Sequence, residues 1–310
     1  MSALAVAEST AVRCPGCGAE HDAPQELLEG RDRLIGAPGR FTVVQCRSCG
    51  LAITEPRLRP EDFATYYPGD YSAYVSRARL RDRISPGLIL DRLRMEWVIR
   101  FGPYREVWRR GPGRLLDVGC GAGDLASVFA AHGYQVAGIE PSEGAARHAR
   151  ERGIDMHHGT LDDAPWASGS FDAVIFNHVL EHIDDPVDAI ERAAALLAPG
   201  GVLAIAVPNF GSWHRRLFGS AWFQLDLPRH VQHFDRDSLS AVVRRAGLRP
   251  IAIGAASMRP SLLGSIQYST FGRLRFGGRG FQLATWAMLP LIALSDVLAE
   301  GDCLHLTAAR

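Results

Sequence analysis

Four cysteines carry the first recognisable chemistry in the chain. Cys14-Pro-Gly-Cys17-Gly and Cys46-Arg-Ser-Cys49-Gly are near-identical knuckles, separated by 28 residues. Zinc takes four tetrahedral ligands, and thiolates at about 2.3 Å satisfy it. A glycine after each second cysteine lets the backbone turn tightly beneath the sulfurs. Two C-x-x-C pairs are a metal pattern rather than a disulfide framework, and they point to a reducing, cytoplasmic setting. A closed set of four thiolates is structural, with no open position for catalysis. The expectation is one structural Zn2+ held by Cys14, Cys17, Cys46 and Cys49.

A second chemical centre is the turn Asp117-Val-Gly119-Cys-Gly121-Ala-Gly123. Glycine-rich turns between a strand and a helix let a ligand approach the backbone closely. The dinucleotide fingerprint spaces its last two glycines by two residues, and that third position is Asp124 here. The carboxylate of Asp117 would repel a pyrophosphate and attract an ammonium. Glu140, ending the next strand, is placed to accept hydrogen bonds from both hydroxyls of a ribose. These residues predict a nucleoside ligand with a cationic end, and a nicotinamide dehydrogenase fails at Asp117 and Asp124.

Histidines form the third group. His178-Val-Leu-Glu181-His182 matches the H-x-x-E-H pattern of inverted zinc proteases, which requires a helix, whereas here it follows a strand. A milder version has His178, Glu181 and His182 holding a divalent ion. The favoured reading makes Glu181 and His182 braces for the loop, with His178 facing the site. Further on, the stretch Trp222-Phe-Gln-Leu-Asp-Leu-Pro228-Arg229-His230-Val-Gln-His233-Phe234 adds more imidazoles. His178 and His230 are the candidates for a general base, since imidazole titrates near neutral pH.

The elements that must position these groups alternate from Arg114 onward. Leu115–Val118 reads as a strand, Asp124–His132 as a helix, Gln135–Ile139 as a strand and Ser142–Arg152 as a helix. Phe171–Phe176 is an apolar strand. Asp185-Pro186 opens a helix whose apolar face carries Val187, Ile190, Ala194 and Leu197. Pro199-Gly200-Gly201 stops it before the strand Val202–Val207. A helix over Asp237–Ala246, a strand over Leu248–Ile253 and a final strand near Cys303–Ala308 complete the pattern. Alternation of this kind predicts an α/β fold with a doubly wound sheet, and it sets the ligand at the carboxyl ends of the strands.

In order and spacing, the runs Leu115–Gly123, Gly138-Ile-Glu-Pro-Ser142, Gly169-Ser-Phe-Asp-Ala173 and Asn177–His182 resemble the class I S-adenosylmethionine-dependent methyltransferases. The resemblance spans Arg114 to Leu248. It implies a seven-stranded sheet whose last strand is antiparallel, and S-adenosyl-L-methionine as cofactor. Asp117, Gly119, Gly121, Gly123, Glu140 and Asn177 would line its site. The family often has an acid on the adenine amino group after the third strand. Here Gly159 is followed by Thr160, so Asp162 or the backbone near Leu161 takes that place. The cysteine knuckles, the tyrosines and the Pro-Arg-His-x-x-His-Phe run together look like a bacterial group tied to polysaccharide and natural-product pathways. Sugar C-methyltransferases are similar in layout and carry a Tyr-His-Glu-His run there. Only His230 matches it, and Arg229 replaces the glutamate, which argues against the same proton-abstracting machinery.

The resemblance therefore implies a small-molecule acceptor such as a sugar, nucleotide-sugar or natural-product intermediate. A lipid-linked acceptor is the alternative, as is a binding or regulatory protein with a non-catalytic core. Net charge is zero, with 34 basic against 34 acidic residues, which gives no general affinity for nucleic acid. All 34 basic residues are arginine, ten of them between Arg77 and Arg110, where guanidinium forks suit phosphate. The apolar stretch Phe281–Ser295 is interrupted by Pro290 and is short for a membrane span, leaving peripheral contact as the weaker option. The expected division is a zinc ribbon at 10–55, a helical Arg/Tyr-rich connector at 56–110 and a methyltransferase domain at 111–310. Insertions at 208–234 and 256–300 would carry specificity. The sequence leaves the oligomeric state open.

Overall fold

The computed structural model describes residues 12–21, 24–67, 96, 98–100, 102–275, 284, 287–298 and 300–310. Most of the arginine-rich stretch, Tyr71, Tyr74 and residues 281–283, 285 and 286 of the apolar segment lie outside these residues.

Strands β1 (Val12–Arg13) and β2 (Glu20–His21) pair across the first knuckle. Strands β3 (Gln25–Gly30), β4 (Phe41–Gln45) and β5 (Ala52–Glu55) form an antiparallel meander around the second. A short helix α1 (Phe63–Tyr66) follows, and α2 (Arg105–Arg109) leads into the main sheet.

That sheet is built from β6 (Arg114–Val118), β7 (Gln135–Glu140), β8 (Asp155–His158), β9 (Phe171–Asn177), β10 (Leu197–Pro208), β12 (Arg249–Ala256) and β13 (Cys303–Ala309). Their spatial order is β12-β13-β10-β9-β6-β7-β8, and β13 is antiparallel to both its neighbours. The other pairings are parallel. Seven strands with the last one reversed is the fold the sequence motifs implied.

Strand residues alternate between two buried faces, as a sheet covered on both sides requires. Leu116, Val174, Phe176, Leu203 and Ile205 pack on one face, while Leu115, Ala173, Ile175, Val202 and Ala204 pack on the other. Helices α3 (Asp124–Ala130), α4 (Glu143–Glu151), α5 (Pro186–Leu196) and α7 (Arg236–Arg245) flank the sheet. The Asp185 carboxylate caps α5 through the amides of Val187 and Asp188, with Pro186 at the first turn. Pro199-Gly200-Gly201 falls inside β10, where the pairing with β9 shifts between Leu197 and Val202. The glycine pair therefore makes an irregular strand start rather than a loop.

The insertion after β10 contains α6 (Trp213–Phe218) and β11 (Gln232–His233). Strand β11 does not join the main sheet. It pairs antiparallel with β5, Gln232 opposite Ile53 and His233 opposite Ala52, so it becomes the edge of the ribbon sheet. Ribbon and main domain also share apolar packing: Cys14, Cys46, Leu51 and Ile53 lie in one cluster with Phe234 and Val242. Tyr66 lies in one apolar cluster with Phe41 and Val43 of the ribbon and with Phe210, Trp222 and Leu225 of the insertion. Its ring meets Phe41 edge-on and its hydroxyl donates to the Pro38 carbonyl, both on the ribbon. Beyond these elements lie α8 (Arg259–Phe271) and α9 (Leu289–Val297). Among the described residues no helix is long and apolar enough to cross a membrane.

Candidate functional site

The cysteine cluster assembles as the spacing predicts. Sγ of Cys14 lies 3.5 Å from that of Cys49, and Cys17 lies 3.6 Å from Cys46. Four sulfurs around one ion at about 2.3 Å would stand roughly 3.8 Å apart. The two knuckles repeat one backbone motif: Gly18 N–H donates to Cys14 and Gly50 N–H to Cys46, with both glycines at positive φ. Thiols this close cannot all ionise alone. Hydrogen bonding to Cys49 holds Cys14 low, at about 5, while burial raises Cys17 and the Cys14 neighbour raises Cys49. A bound cation would resolve the conflict.

The glycine turn follows β6 and opens α3. Gly119, Gly121 and Gly123 have φ of 63°, 55° and 78°, which L side chains adopt at a cost. A Cβ on Gly119 would stand 2.5 Å from Val179 Cγ2. Glu140 ends β7 and is buried, with Oε2 accepting from Gly121 N at 2.9 Å and Oε1 from Ser142 N at 2.8 Å. These bonds fix the carboxylate at the strand end and leave acceptor capacity for ribose hydroxyls. Asp117 is buried, and its Oδ1 has no hydrogen-bond partner. Burial first, and then the charge of Glu140, push its carboxyl up to about 7. An unpartnered buried carboxylate oxygen beside this turn is the complement of an ammonium group.

Other predicted contacts are placed differently. Asn177, at the end of β9, accepts a 2.6 Å bond from the hydroxyl of Tyr104 on Oδ1. Leu161 and Asp162 lie in a 3-10 turn capped by Thr160. The Asp162 carboxylate is largely exposed and lies 3.3 Å from Arg192 of α5.

The histidines converge on one carboxylate. Glu181 is fully buried, and its Oε1 lies 3.3 Å from His178 Nδ1 and 3.9 Å from His230 Nε2. The His182 and His230 rings meet edge to face with centroids 4.7 Å apart. His178 sits at φ 56°, unusual outside glycine, and its amide donates to Ala206 of β10. Its Nε2 is 3.7 Å from Cys303 Sγ. Burial opposes charge on His178, but Cys303 and Glu181 outweigh it and raise its pKa. Burial and the neighbouring His182 depress His230 to about 4, so its ring is neutral at physiological pH. Glu181 is the centre of the cluster, and its carbonyl accepts from Val231 N while His182 Nδ1 bonds the Arg229 carbonyl, so both also tie this segment to the His230 loop. His214 and His233 are also fully or almost fully buried. His233 Nε2 lies 2.8 Å from Thr54 Oγ1 and His214 beside Asp302, away from the Glu181 group.

Several participants escaped the sequence reading. Tyr104 and Cys303 carried no motif. Arg229, first read only as a departure from a neighbouring family, is fully buried and clamps Asp32 and Asp226. Asp32 gave one faint signal, an acid shortly before a Gly-Ala-Pro-Gly turn, and it accepts the amides of Leu34, Ile35 and Ala37.

A doubly wound sheet with a glycine turn, a ribose-type acid and an unpartnered buried carboxylate at its strand ends defines a nucleoside-cofactor enzyme. Residues 88–253 match the family described as "Methyltransferase domain". A ubiquinone biosynthesis O-methyltransferase of Aromatoleum aromaticum is 32% identical over 184 residues, covering 55% of this chain and 76% of that protein. One from Ruegeria pomeroyi is 33% identical over 150 residues, covering 44% of this chain and 60% of its own length. Among solved structures, the 1,6-didemethyltoxoflavin-N1-methyltransferase of Burkholderia thailandensis is similar at 18% identity and TM-score 0.47, covering 86% of this chain and 94% of that one. The chain belongs to the class I S-adenosylmethionine-dependent methyltransferase family, and it is a methyltransferase.

Proposed function

We propose that the protein methylates an oxygen of a small-molecule acceptor seated between the Asp117–Glu140 cradle and the Glu181 cluster. The sugar, nucleotide-sugar and natural-product classes are the acceptors first in line. One observation carries the reading: Glu181, His178, His182 and His230 gather at the carboxyl end of β9, directly after Asn177, where Val179 lies against the Gly119 turn. S-adenosylmethionine, when bound, supplies an electrophilic methyl on a sulfonium. Alignment of the acceptor is then most of the catalysis. In this assignment Asp117 holds the ammonium, Glu140 the ribose, and Asn177 with the backbone at Leu161 borders the nucleoside.

An oxygen acceptor must also shed a proton, and the imidazoles around Glu181 are the groups proposed to relay it away. The similar ubiquinone-pathway proteins are named as O-methyltransferases, which favours oxygen over nitrogen or carbon. Zn2+ in the four-cysteine cluster belongs to the same proposal, as a structural ion that shapes the ribbon. A lipid-linked acceptor is the second reading, favoured only by the exposed Leu291, Leu294 and Leu298 on and just after α9.

The test is incubation with S-adenosylmethionine and a panel of sugars, nucleotide-sugars and phenols. A mass gain of one methyl on an oxygen, with matching S-adenosylhomocysteine release, is expected. Turnover with amines alone would overturn the oxygen assignment.

A further inference from the structure

Glu181, His182 and His230 offer one ligand atom each, all within 4.8 Å of one another. The set differs from the H-x-x-E-H reading: His178 points Nε2 at Cys303, and its place is taken by His230, 48 positions after His182.

The protonation pattern suits a cation. His182 Nδ1 lies 2.9 Å from the Arg229 carbonyl, and His230 Nδ1 lies 2.9 Å from the Gln224 carbonyl. A carbonyl only accepts, so each Nδ1 carries a proton, and in the neutral tautomer this leaves the lone pair on Nε2. Metal-binding histidines are oriented in just this way, by donating the other ring nitrogen to a carbonyl or carboxylate. Glu181 adds the third requirement. Its side chain is 1% exposed, and Oε2 has no hydrogen-bond partner. Ligands at about 2.1 Å from a common tetrahedral ion stand roughly 3.4 Å apart, so small side-chain rotations would close the set. The loop is also held: Arg229, the residue before His230, is pinned to Asp32 and Asp226.

We propose that Glu181, His182 and His230 form a second metal site, separate from the four cysteines, that binds a divalent transition ion and keeps a position open for an acceptor oxygen. Two imidazoles and one carboxylate select Zn2+, Mn2+ or Fe2+ over Mg2+. The inference deepens the proposed function, because an ion there would lower the pKa of a coordinated hydroxyl. The hydroxyl proton leaves to solvent, and the alkoxide held on the ion forms the new O–CH3 bond as the sulfonium S–CH3 bond breaks. Binding of the ion itself is independent of that reading.

The experiment uses the full chain with its ribbon ion in place, freed of loosely held metal, without acceptor. Mn2+ and Zn2+ are titrated separately by calorimetry, and free Mn2+ is also followed by electron paramagnetic resonance. One additional equivalent per chain is expected. Loss of an outer-shell partner alone costs about 10–100-fold in affinity, so Glu181→Gln, His182→Ala and His230→Ala should each weaken binding at least tenfold. S-adenosylhomocysteine affinity in each variant reports an intact core. The unaltered protein decides the matter even if a variant misfolds. Uptake of neither ion beyond the ribbon equivalent would overturn the proposal, as would an extra equivalent that survives all three substitutions. Failure to methylate any oxygen acceptor would leave the ion titration unchanged.

Discussion

Arg229 and Asp32 form a fully buried ion pair, Nη2 to Oδ1 at 2.9 Å, across 197 positions of sequence. One belongs to the loop that carries His230, the other to the turn between β3 and β4 of the ribbon. Asp226 at 2.6 Å and the Tyr66 carbonyl at 3.2 Å also bond the guanidinium. Breaking a buried pair from one side strands a charge and costs about 3–5 kcal/mol. Arg229→Ala should therefore lower unfolding stability by that order in denaturant melts, and raise KM for the acceptor more than Kd for the cofactor. A loss below about 1 kcal/mol would mean the pair is not buried in solution.

Glu140 is the proposed anchor of the cofactor cradle. Its carboxylate takes the amides of Gly121 and Ser142, and in the proposed assignment it also takes the ribose. A hydrogen bond to a charged group contributes about 1.5–3 kcal/mol. Glu140→Ala should weaken S-adenosylmethionine binding by roughly 10–150-fold in calorimetry. Unchanged affinity would remove Glu140 from the site.

The core fold was legible because strand and helix periods persisted from Leu115 to Ala246, and because the turn at Gly119–Gly123 needs residues few other structures need. Local spacing likewise gave the four cysteines. What stayed hidden is long-range. Nothing in Gln232-His233 says that it pairs with β5, since two residues carry no readable period. The burial of Arg229 was not legible, because burial of an arginine is set by partners 3 and 197 positions away. His178 and His230 were singled out by type, but the partner of each depends on contacts made by Cys303, Gln224 and Glu181 after folding.

The ribbon's cysteines should matter to the acceptor as well as to the fold. Thr54 on β5 donates its hydroxyl to the His230 carbonyl at 2.7 Å and its amide to the Val231 carbonyl. Loosening the knuckles should therefore displace the His230 loop. Elemental analysis is expected to find zinc that Cys14→Ser with Cys46→Ser removes. In that variant the acceptor KM should rise at least severalfold, while calorimetric cofactor affinity stays within about twofold. A zinc-free native protein would sink the structural assignment; an unchanged KM would sink the coupling.

With Asp117 on the ammonium, as proposed, cofactor binding should depend on pH. Burial and then Glu140 lift its carboxyl from an ordinary 3.8 to about 7. In the unliganded protein the folded state thus holds a proton that the unfolded chain has released between these two values. Stability contributed by the protonated form is fully present below 3.8 and is lost as pH rises through about 7. An ammonium ligand has the opposite preference, because it pairs with the carboxylate. S-adenosylmethionine affinity should fall as pH drops below 7, approaching tenfold per unit once Asp117 is mostly protonated in the free protein. Asp117→Asn should abolish that slope, bind the cofactor more weakly at pH 8, and gain stability relative to the native protein as pH rises from 5 to 8. Calorimetry of both proteins from pH 5.5 to 8.5, with parallel thermal melts, reads all three. A native affinity that is flat across this range would show that Asp117 does not hold the ammonium.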